Sequence, residues 1–142
     1  MADWRDNLND FFDQTEETKQ DEEKSEIAGF VSHVVIPAFE EIEMELARHG
    51  RYVNIRDTIT SAVITVCKEG EEELMYRVQG RTFPNGVLPY AEIRFRERKG
   101  LRLLTTESMF RSGSQGYALG DITKEEVIQN FIENYTKRVE KS

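Results

Sequence analysis

The longest repeating pattern of apolar residues in this chain has the period of an α-helix. Its members return every three or four positions, and they are Ile27, Phe30, Val31, Val34, Val35, Ala38, Phe39, Ile42 and Leu46. This spacing places them along one side of a helix. Pro37 lies inside the pattern and has no amide hydrogen to bond the carbonyl of His33, so we expect one long helix with a kink at that point. Gly50 is a suitable residue to end it.

From residue 52 onward the apolar period changes to two, which is the period of a half-buried β-strand. Apolar and polar residues alternate in five short segments, near residues 52–56, 61–67, 74–79, 91–96 and 101–106. The connections are short and contain turn residues, notably at 68–71 and 84–86, which favours hairpins. Because only one face of these segments is consistently apolar, the pattern predicts a five-stranded antiparallel meander with a single buried face.

The helical period returns after residue 122. Thr123 and Glu126 have the spacing of a capping box, and Ile122 with Val127 has the spacing of a hydrophobic staple. The predicted fold class is therefore α+β, with a long kinked N-terminal helix, a five-stranded antiparallel meander and a C-terminal helix. Since one face of the sheet is apolar, we expect both helices to pack on that face.

The first 26 residues, which we call the leader, follow a different pattern. Trp4, Leu8, Phe11 and Phe12 have the spacing of one helical face, so we expect a short amphipathic helix over residues 4–13. Residues 13–26 contain no apolar side chain and suit either a solvated helix or a tether. We therefore divide the chain into an acidic amphipathic leader, residues 1–26, and a single α+β domain, residues 27–142.

Charge is distributed unevenly along the chain. The 142 residues include 27 acidic and 19 basic ones, for a formal net charge of −8. The leader holds ten acidic and three basic residues and so carries −7 of that charge, while residues 48–111 hold twelve basic and eight acidic residues. Two interpretations stay open. The leader is either a solubilising tail or an acidic segment that covers the basic middle of the chain.

Arginine is concentrated on the polar face of the predicted sheet. Residues at i, i+2 and i+4 of a strand share one face, so we expect a basic patch that includes Arg77, Arg81, Arg94, Arg96, Arg98 and Arg102. Arginine binds phosphates and carboxylates through paired hydrogen bonds, and Tyr90 lies in phase to stack on a nucleic-acid base. The alternative is a solvated face whose arginines pair with acids such as Glu71, Glu73, Glu92 and Glu97.

Few residues have the chemistry that catalysis or metal binding requires. Cys67 is the one cysteine, which excludes an internal disulfide and multi-cysteine metal sites and suggests a reducing compartment. His33 and His49 are too far apart on one predicted helix to bind the same metal ion. The most apolar stretch, residues 28–39, is shorter than the roughly 20 residues of a membrane-spanning helix, and the first residues do not form a secretory signal. We expect a cytoplasmic protein with no cofactor, no metal and no membrane contact.

These observations favour a non-enzymatic interaction or accessory protein, either chaperone-like or regulatory. Its expected partner is another protein or a second copy of itself. In this hypothesis Trp4, Leu8, Phe11 and Phe12 anchor the contact, and the arginines supply electrostatic complementarity. Two alternatives remain. The basic face could bind a polyanion such as single-stranded nucleic acid, or the chain could be a small enzyme of a class that its sequence does not identify.

Overall fold

The computed structural model describes residues 4–83, 86–96, 102–110 and 119–139, without the side chains of residues 12–21, 82 and 83. Two helices come first, α1 (Trp4–Phe30) and α2 (Ile36–Ala47), joined by a π-helical turn, Val31–Val35. The strands follow as β1 (Tyr52–Asp57), β2 (Ser61–Lys68), β3 (Glu71–Phe83), β4 (Gly86–Arg96) and β5 (Leu103–Met109). A 3-10 turn, Leu119–Asp121, precedes α3 (Lys124–Arg138). The predicted α+β class, with its antiparallel sheet and C-terminal helix, is confirmed.

The first helix is longer than the apolar pattern predicted. α1 is continuous from Trp4 to Phe30, so the short helix expected over residues 4–13 extends through the wholly polar segment 13–26. The boundary that we predicted at residue 26 lies inside this helix. The division of the chain into a leader and a domain stays a prediction.

The kink expected at Pro37 takes the form of the π-helical turn that precedes it. The amide of Ile36 donates to the carbonyl of Val31, five residues earlier. Pro37 then lies in the first turn of α2, where the absence of an amide hydrogen costs little because the first amides of a helix lack a partner within it. The apolar stripe stays in phase across this junction, because Val31, Val35, Ala38 and Phe39 are all buried.

The five strands form one antiparallel sheet in which neighbours in the chain are neighbours in space, in the order β1-β2-β3-β4-β5. The hairpin turn predicted between β2 and β3 is present, and Glu69 and Gly70 have φ angles of 53° and 82°. Positive φ at both central residues is the signature of the two-residue turn that suits the twist of a β-hairpin. Pro84 and Asn85, in the turn predicted between β3 and β4, lie outside the described residues.

The hydrophobic core is built from alternate residues of the strands and from the helical stripes. Tyr76 of the central strand β3 lies in its middle and is fully buried. Its ring contacts Phe39 of α2 and Phe131 of α3 edge-on, at centroid distances of 6.0 and 5.3 Å. Residues of both helices therefore pack against the same side chain of the sheet. We call the face that carries Tyr76 the buried face.

The C-terminal end of α1 comes close to the sheet at Gly80. A Cβ atom at this position would lie 2.7 Å from Cγ1 of Val87 and 2.9 Å from Cδ1 of Ile27. Favourable contacts between carbon atoms are about 3.5–4.0 Å. Glycine in β3 is thus required by the packing of α1 rather than by an unusual backbone angle.

The C-terminal helix begins as the capping pattern predicted. Oγ1 of Thr123 accepts a hydrogen bond of 3.2 Å from the amide of Glu126, which satisfies one of the unpaired amides of the first turn. Ile122 and Val127, the two residues of the staple, are both buried. Among the described helices, none combines the length and the apolar composition needed to cross a bilayer.

A buried polar network, which the sequence did not lead us to expect, fixes α3 to the sheet. The hydroxyl of Tyr76 donates to Oδ1 of Asn130 over 2.5 Å, and Nδ2 of Asn130 donates to Oγ of Ser108 over 3.1 Å. Asn134 donates to the carbonyl of Asn130 over 2.9 Å. Burial raises the pKa of the Tyr76 phenol well above its usual value. Since buried polar groups are costly when unpaired, this network specifies how α3 sits on β3 and β5.

Candidate interaction surfaces

Arginines lie on the face of the sheet opposite to the buried face, as the alternation predicted. Arg77 and Arg81 are on β3, and Arg94 and Arg96 are on the adjacent strand β4. We call the surface formed by these four residues and their outward-facing neighbours the arginine face. Of the two other arginines predicted for it, Arg102 is exposed just before β5. Arg98 lies outside the described residues.

Carboxylates of the same face pair with these arginines. Arg94 makes two parallel hydrogen bonds to the Glu72 carboxylate, from Nη2 at 2.6 Å and from Nε at 2.9 Å. Arg96 donates to the backbone carbonyl of Glu72 over 3.1 Å, and Nη1 of Arg77 lies 3.6 Å from Oε1 of Glu92. The hydrogen bonds that Arg94 donates to the Glu72 carboxylate raise the pKa of Arg94 above its usual value. Much of the positive charge of this face is therefore balanced within the chain.

Arg81 is held in a similar way, and it also covers the ring of Tyr90. Its Nη2 donates to Oε1 of Glu107 over 2.8 Å, and its guanidinium carbon lies 4.2 Å from the centroid of the Tyr90 ring. The Tyr90 hydroxyl accepts a 2.6 Å hydrogen bond from Gln79. One face of Tyr90, which the sequence suggested could stack on a base, is thus already occupied by an arginine.

A β-bulge decides which glutamate of β3 faces the arginines. Val66 pairs with Leu74 and Cys67 pairs with Glu72, so Glu73 is an extra residue without a partner in β2. The alternative of a solvated face named Glu73 among the acids that would pair with these arginines, and for Glu73 this was wrong, because it pairs with Arg51. A shift of one residue moves a strand side chain to the other face, so Glu72 takes the expected place.

Glu73 instead belongs to a partly buried cluster at the edge of the core. Its carboxylate accepts two hydrogen bonds of 3.1 Å from Arg51 and one of 2.6 Å from the hydroxyl of Tyr135. Burial, followed by the hydrogen bond to Glu73, raises the pKa of Tyr135 to about 12. These contacts connect the start of β1 and the end of α3 to β3. They stabilise the fold, and none of them involves Arg77, Arg81, Arg94 or Arg96.

The apolar stripe of the leader is exposed to solvent. Trp4, Leu8 and Phe11 lie on the first turns of α1 with exposed fractions of 65%, 47% and 60%. Phe12 continues the helix, but its side chain lies outside the described part of the chain. The guanidinium of Arg5 lies 5.3 Å from the ring of Trp4. The interpretation in which the leader covers the basic middle of its own chain stays a prediction.

The residues with catalytic or metal-binding potential are dispersed. Cys67 is half-buried on β2. His33 is exposed in the π-helical turn, with Nδ1 3.1 Å from Oγ of Ser32, and Nε2 of His49 lies 3.6 Å from the Glu45 carboxylate. Within the described residues, no group of three or more His, Cys, Asp or Glu side chains could hold a metal ion.

One groove, of about 500 Å³, lies between the end of α1 and the 3-10 turn. Its walls are largely apolar, and Glu26 is the one charged side chain among its lining residues, which are Ser25, Glu26, Gly29, Phe30, Val34, Leu119, Gly120 and Ile122. A binding site for a small polar molecule usually brings several polar groups together. This groove does not have that character.

No protein-family model, curated protein or solved structure matches this chain. What the protein does must therefore be inferred from the surfaces described above.

Proposed function

We propose that this chain is a non-enzymatic interaction protein that presents the first turns of α1 to a partner protein. The observation that carries the proposal is the exposure of Trp4, Leu8 and Phe11 on consecutive turns of one helix. Isolated apolar residues on a surface need no explanation, but a contiguous exposed patch marks an interaction site. Tryptophan is also among the residues that contribute most to binding energy at protein interfaces.

The spacing of these residues indicates how a partner would bind. Apolar anchors at i, i+4 and i+7 are those of an amphipathic helix that lies in a groove of another protein. Asp6 and Asp10 are exposed on the same turns, and the whole leader carries a net charge of −7. The matching surface is therefore an apolar groove with a basic rim, toward which the acidic leader would be attracted over long distances.

The rest of α1 separates these anchors from the body of the protein. Ile27 and Phe30 are buried in the core, and the helix between Trp4 and Ile27 is continuous. A helix rises about 1.5 Å per residue, so the anchors extend to about 35 Å from the point where α1 meets the sheet. A preformed helix loses less conformational entropy on binding than a disordered segment would, which favours affinity.

The arginine face gives less support to the alternative of polyanion binding. Arg77, Arg81 and Arg94 each contact a carboxylate of their own chain, so a phosphate would have to compete with those contacts. The ring of Tyr90 is covered on one side by Arg81. The supporting role proposed for the arginines, electrostatic complementarity toward an acidic surface of a protein partner, meets the same competition, so the proposal rests on the exposed stripe of α1.

The experiment uses the full chain as bait in an extract of its native host. Three baits are compared, namely the wild type, the stripe variant W4S/F11S, and the control variant N7S/N9S, which changes neutral polar residues of the same turns. All four positions are exposed, so no variant removes core packing. We expect a protein that the wild type and the control retain and the stripe variant loses.

A purified candidate partner is then titrated into the wild-type chain. Trp4 is the one tryptophan of the sequence, and its emission reports the polarity of its surroundings. The partner either lacks tryptophan or is followed at another wavelength. A shift of the Trp4 emission to shorter wavelength would then show that the stripe becomes buried. Binding that is equal for the stripe variant and the control would refute the proposal.

A further inference from the structure

The outer edge of β5 pairs with no other strand of the described residues. β5 pairs with β4 on one side and is the last strand of the sheet. Among the described residues, the one further hydrogen bond to its main chain is that from Asn130 to the carbonyl of Met109, at 3.4 Å. Such an edge exposes unpaired amides and carbonyls that can pair with another strand.

The edge has little of the protection that natural proteins give to an exposed strand. Charged residues on an edge normally discourage pairing, and β5 contains a single one, Glu107, whose charge is balanced by Arg81 at 2.8 Å. Two large apolar side chains, Leu103 and Met109, lie at its two ends with exposed fractions of 48% and 39%. The other edge strand, β1, ends in the charged pair Arg56 and Asp57.

We propose that β5 pairs antiparallel with β5 of a second copy of this chain, about a two-fold axis at Thr106. In that register Leu103 of each copy lies opposite Met109 of the other, and Thr105 lies opposite Glu107. The two exposed apolar side chains of one copy thus meet those of the other. Side chains that lie opposite each other in an antiparallel pair point to the same side of the sheet. The buried face of one copy therefore continues into the buried face of the other, and the two arginine faces are continuous in the same way.

The self-complementarity of β5 is the argument for a second copy rather than an unrelated strand. A two-fold contact uses the same surface on both partners and closes after two copies. The strand therefore has no free edge left for further growth, which distinguishes this pairing from fibril formation. Its result is a ten-stranded sheet with two leaders.

The pairing of β5 does not depend on the proposal that the leader binds a partner protein. Either proposal can fail while the other holds. If both hold, the dimer presents two copies of the stripe Trp4, Leu8 and Phe11. A partner with two matching grooves would then bind more tightly than one stripe alone allows, because the second contact becomes intramolecular.

The test introduces a negative or a positive charge at Thr105, which is exposed on the arginine face. In the dimer, T105E places two like-charged pairs across the axis against Glu107, and T105K places two opposite-charged pairs there. Cross-strand pairs of this kind should change the dimer dissociation constant by about twofold to thirtyfold in opposite directions. The constant is measured by sedimentation velocity over a range of protein concentrations.

The folding stability of the single chain should rank the two variants in the reverse order. A general effect on folding therefore cannot imitate the expected effect on the dimer. Thr105 lies opposite Arg94 within the chain. A glutamate at this position should therefore stabilise the folded single chain, and a lysine should destabilise it. Urea denaturation at low protein concentration records this effect. The stripe variant W4S/F11S should leave the dimer dissociation constant unchanged.

The expected result is a dimer that is tightest for T105K, intermediate for the wild type and weakest for T105E. A chain that stays monomeric at every concentration overturns the inference, as does a dimer whose dissociation constants do not follow this order. Neither result bears on the leader as a ligand for another protein.

Discussion

The close approach of α1 to the sheet predicts opposite effects for two glycine substitutions. Gly80→Ala would place a methyl group 2.7 Å from Val87 and 2.9 Å from Ile27. Both neighbours are β-branched and have few alternative rotamers, so they would have to move together. Gly29→Ala is the matched control, because a Cβ atom there meets no atom within 4 Å.

The magnitudes follow from these distances. Overfilling a packed site costs about 1–3 kcal/mol, and replacing glycine by alanine inside a strand recovers about 0.5–1 kcal/mol. We therefore expect Gly80→Ala to lower the free energy of unfolding by about 1–2 kcal/mol. At Gly29, inside α1, alanine should raise that free energy by about 1 kcal/mol.

Urea denaturation followed by far-ultraviolet circular dichroism is the appropriate assay. Fluorescence would report poorly on the core, because Trp4 is 65% exposed at the start of α1. In the background of Ile27→Ala, the cost of Gly80→Ala should shrink, since one of the two clashing groups is gone. If Gly80→Ala stabilises the protein as Gly29→Ala does, the described contact between α1 and β3 is wrong.

Three further substitutions and one control test the polar contacts of the core and of α3. Tyr76→Phe keeps the ring but removes the donor to Asn130, and we expect a loss of about 1–2 kcal/mol by urea denaturation, whereas an unchanged stability would contradict a buried hydrogen bond. The pKa of Tyr135 is raised from 10.0 to about 12, so its contribution to stability is complete below pH 10 and is lost as the pH rises toward 12. Titration of phenol absorbance should show a late step that is smaller by one phenol in Tyr135→Phe, while Tyr76, whose pKa is also raised, contributes to both titrations. An unchanged amplitude in that variant would exclude this assignment. Thr123→Ala removes the cap of α3 and should cost about 1 kcal/mol in thermal unfolding, while Thr136→Ala, at an exposed position of the same helix, should cost less.

The sequence predicted those parts of the fold that depend on local periodicity. A 3.6-residue repeat and a two-residue repeat identify which side chains share a face, and the faces that they define carry Ile42, Ile64 and Phe131, all of which are buried in the core. The cap at Thr123 was predicted equally well, because a capping box is a contact between residues close in the chain. The length of α1 was underestimated, since residues 13–26 have no apolar side chain to report a periodicity.

The partners of the arginines could be predicted only in part. Glu92 was named correctly as a cross-strand acid, because its position follows from simple alternation. Glu72 was missed because the bulge near Cys67 shifts the alternation by one residue. Glu107 was missed because its contact with Arg81 joins residues 26 positions apart on strands that are not adjacent.

The sequence is sufficient to predict an α+β fold, an acidic leader with an apolar stripe, and a polar sheet face rich in arginine. Each of these follows from the order of residue types along short segments. The three-dimensional arrangement was needed to show that the arginines are balanced by their own carboxylates and that the stripe is exposed on a continuous helix. These properties depend on distances between segments far apart in the chain, and side-chain spacing within one segment does not contain that information.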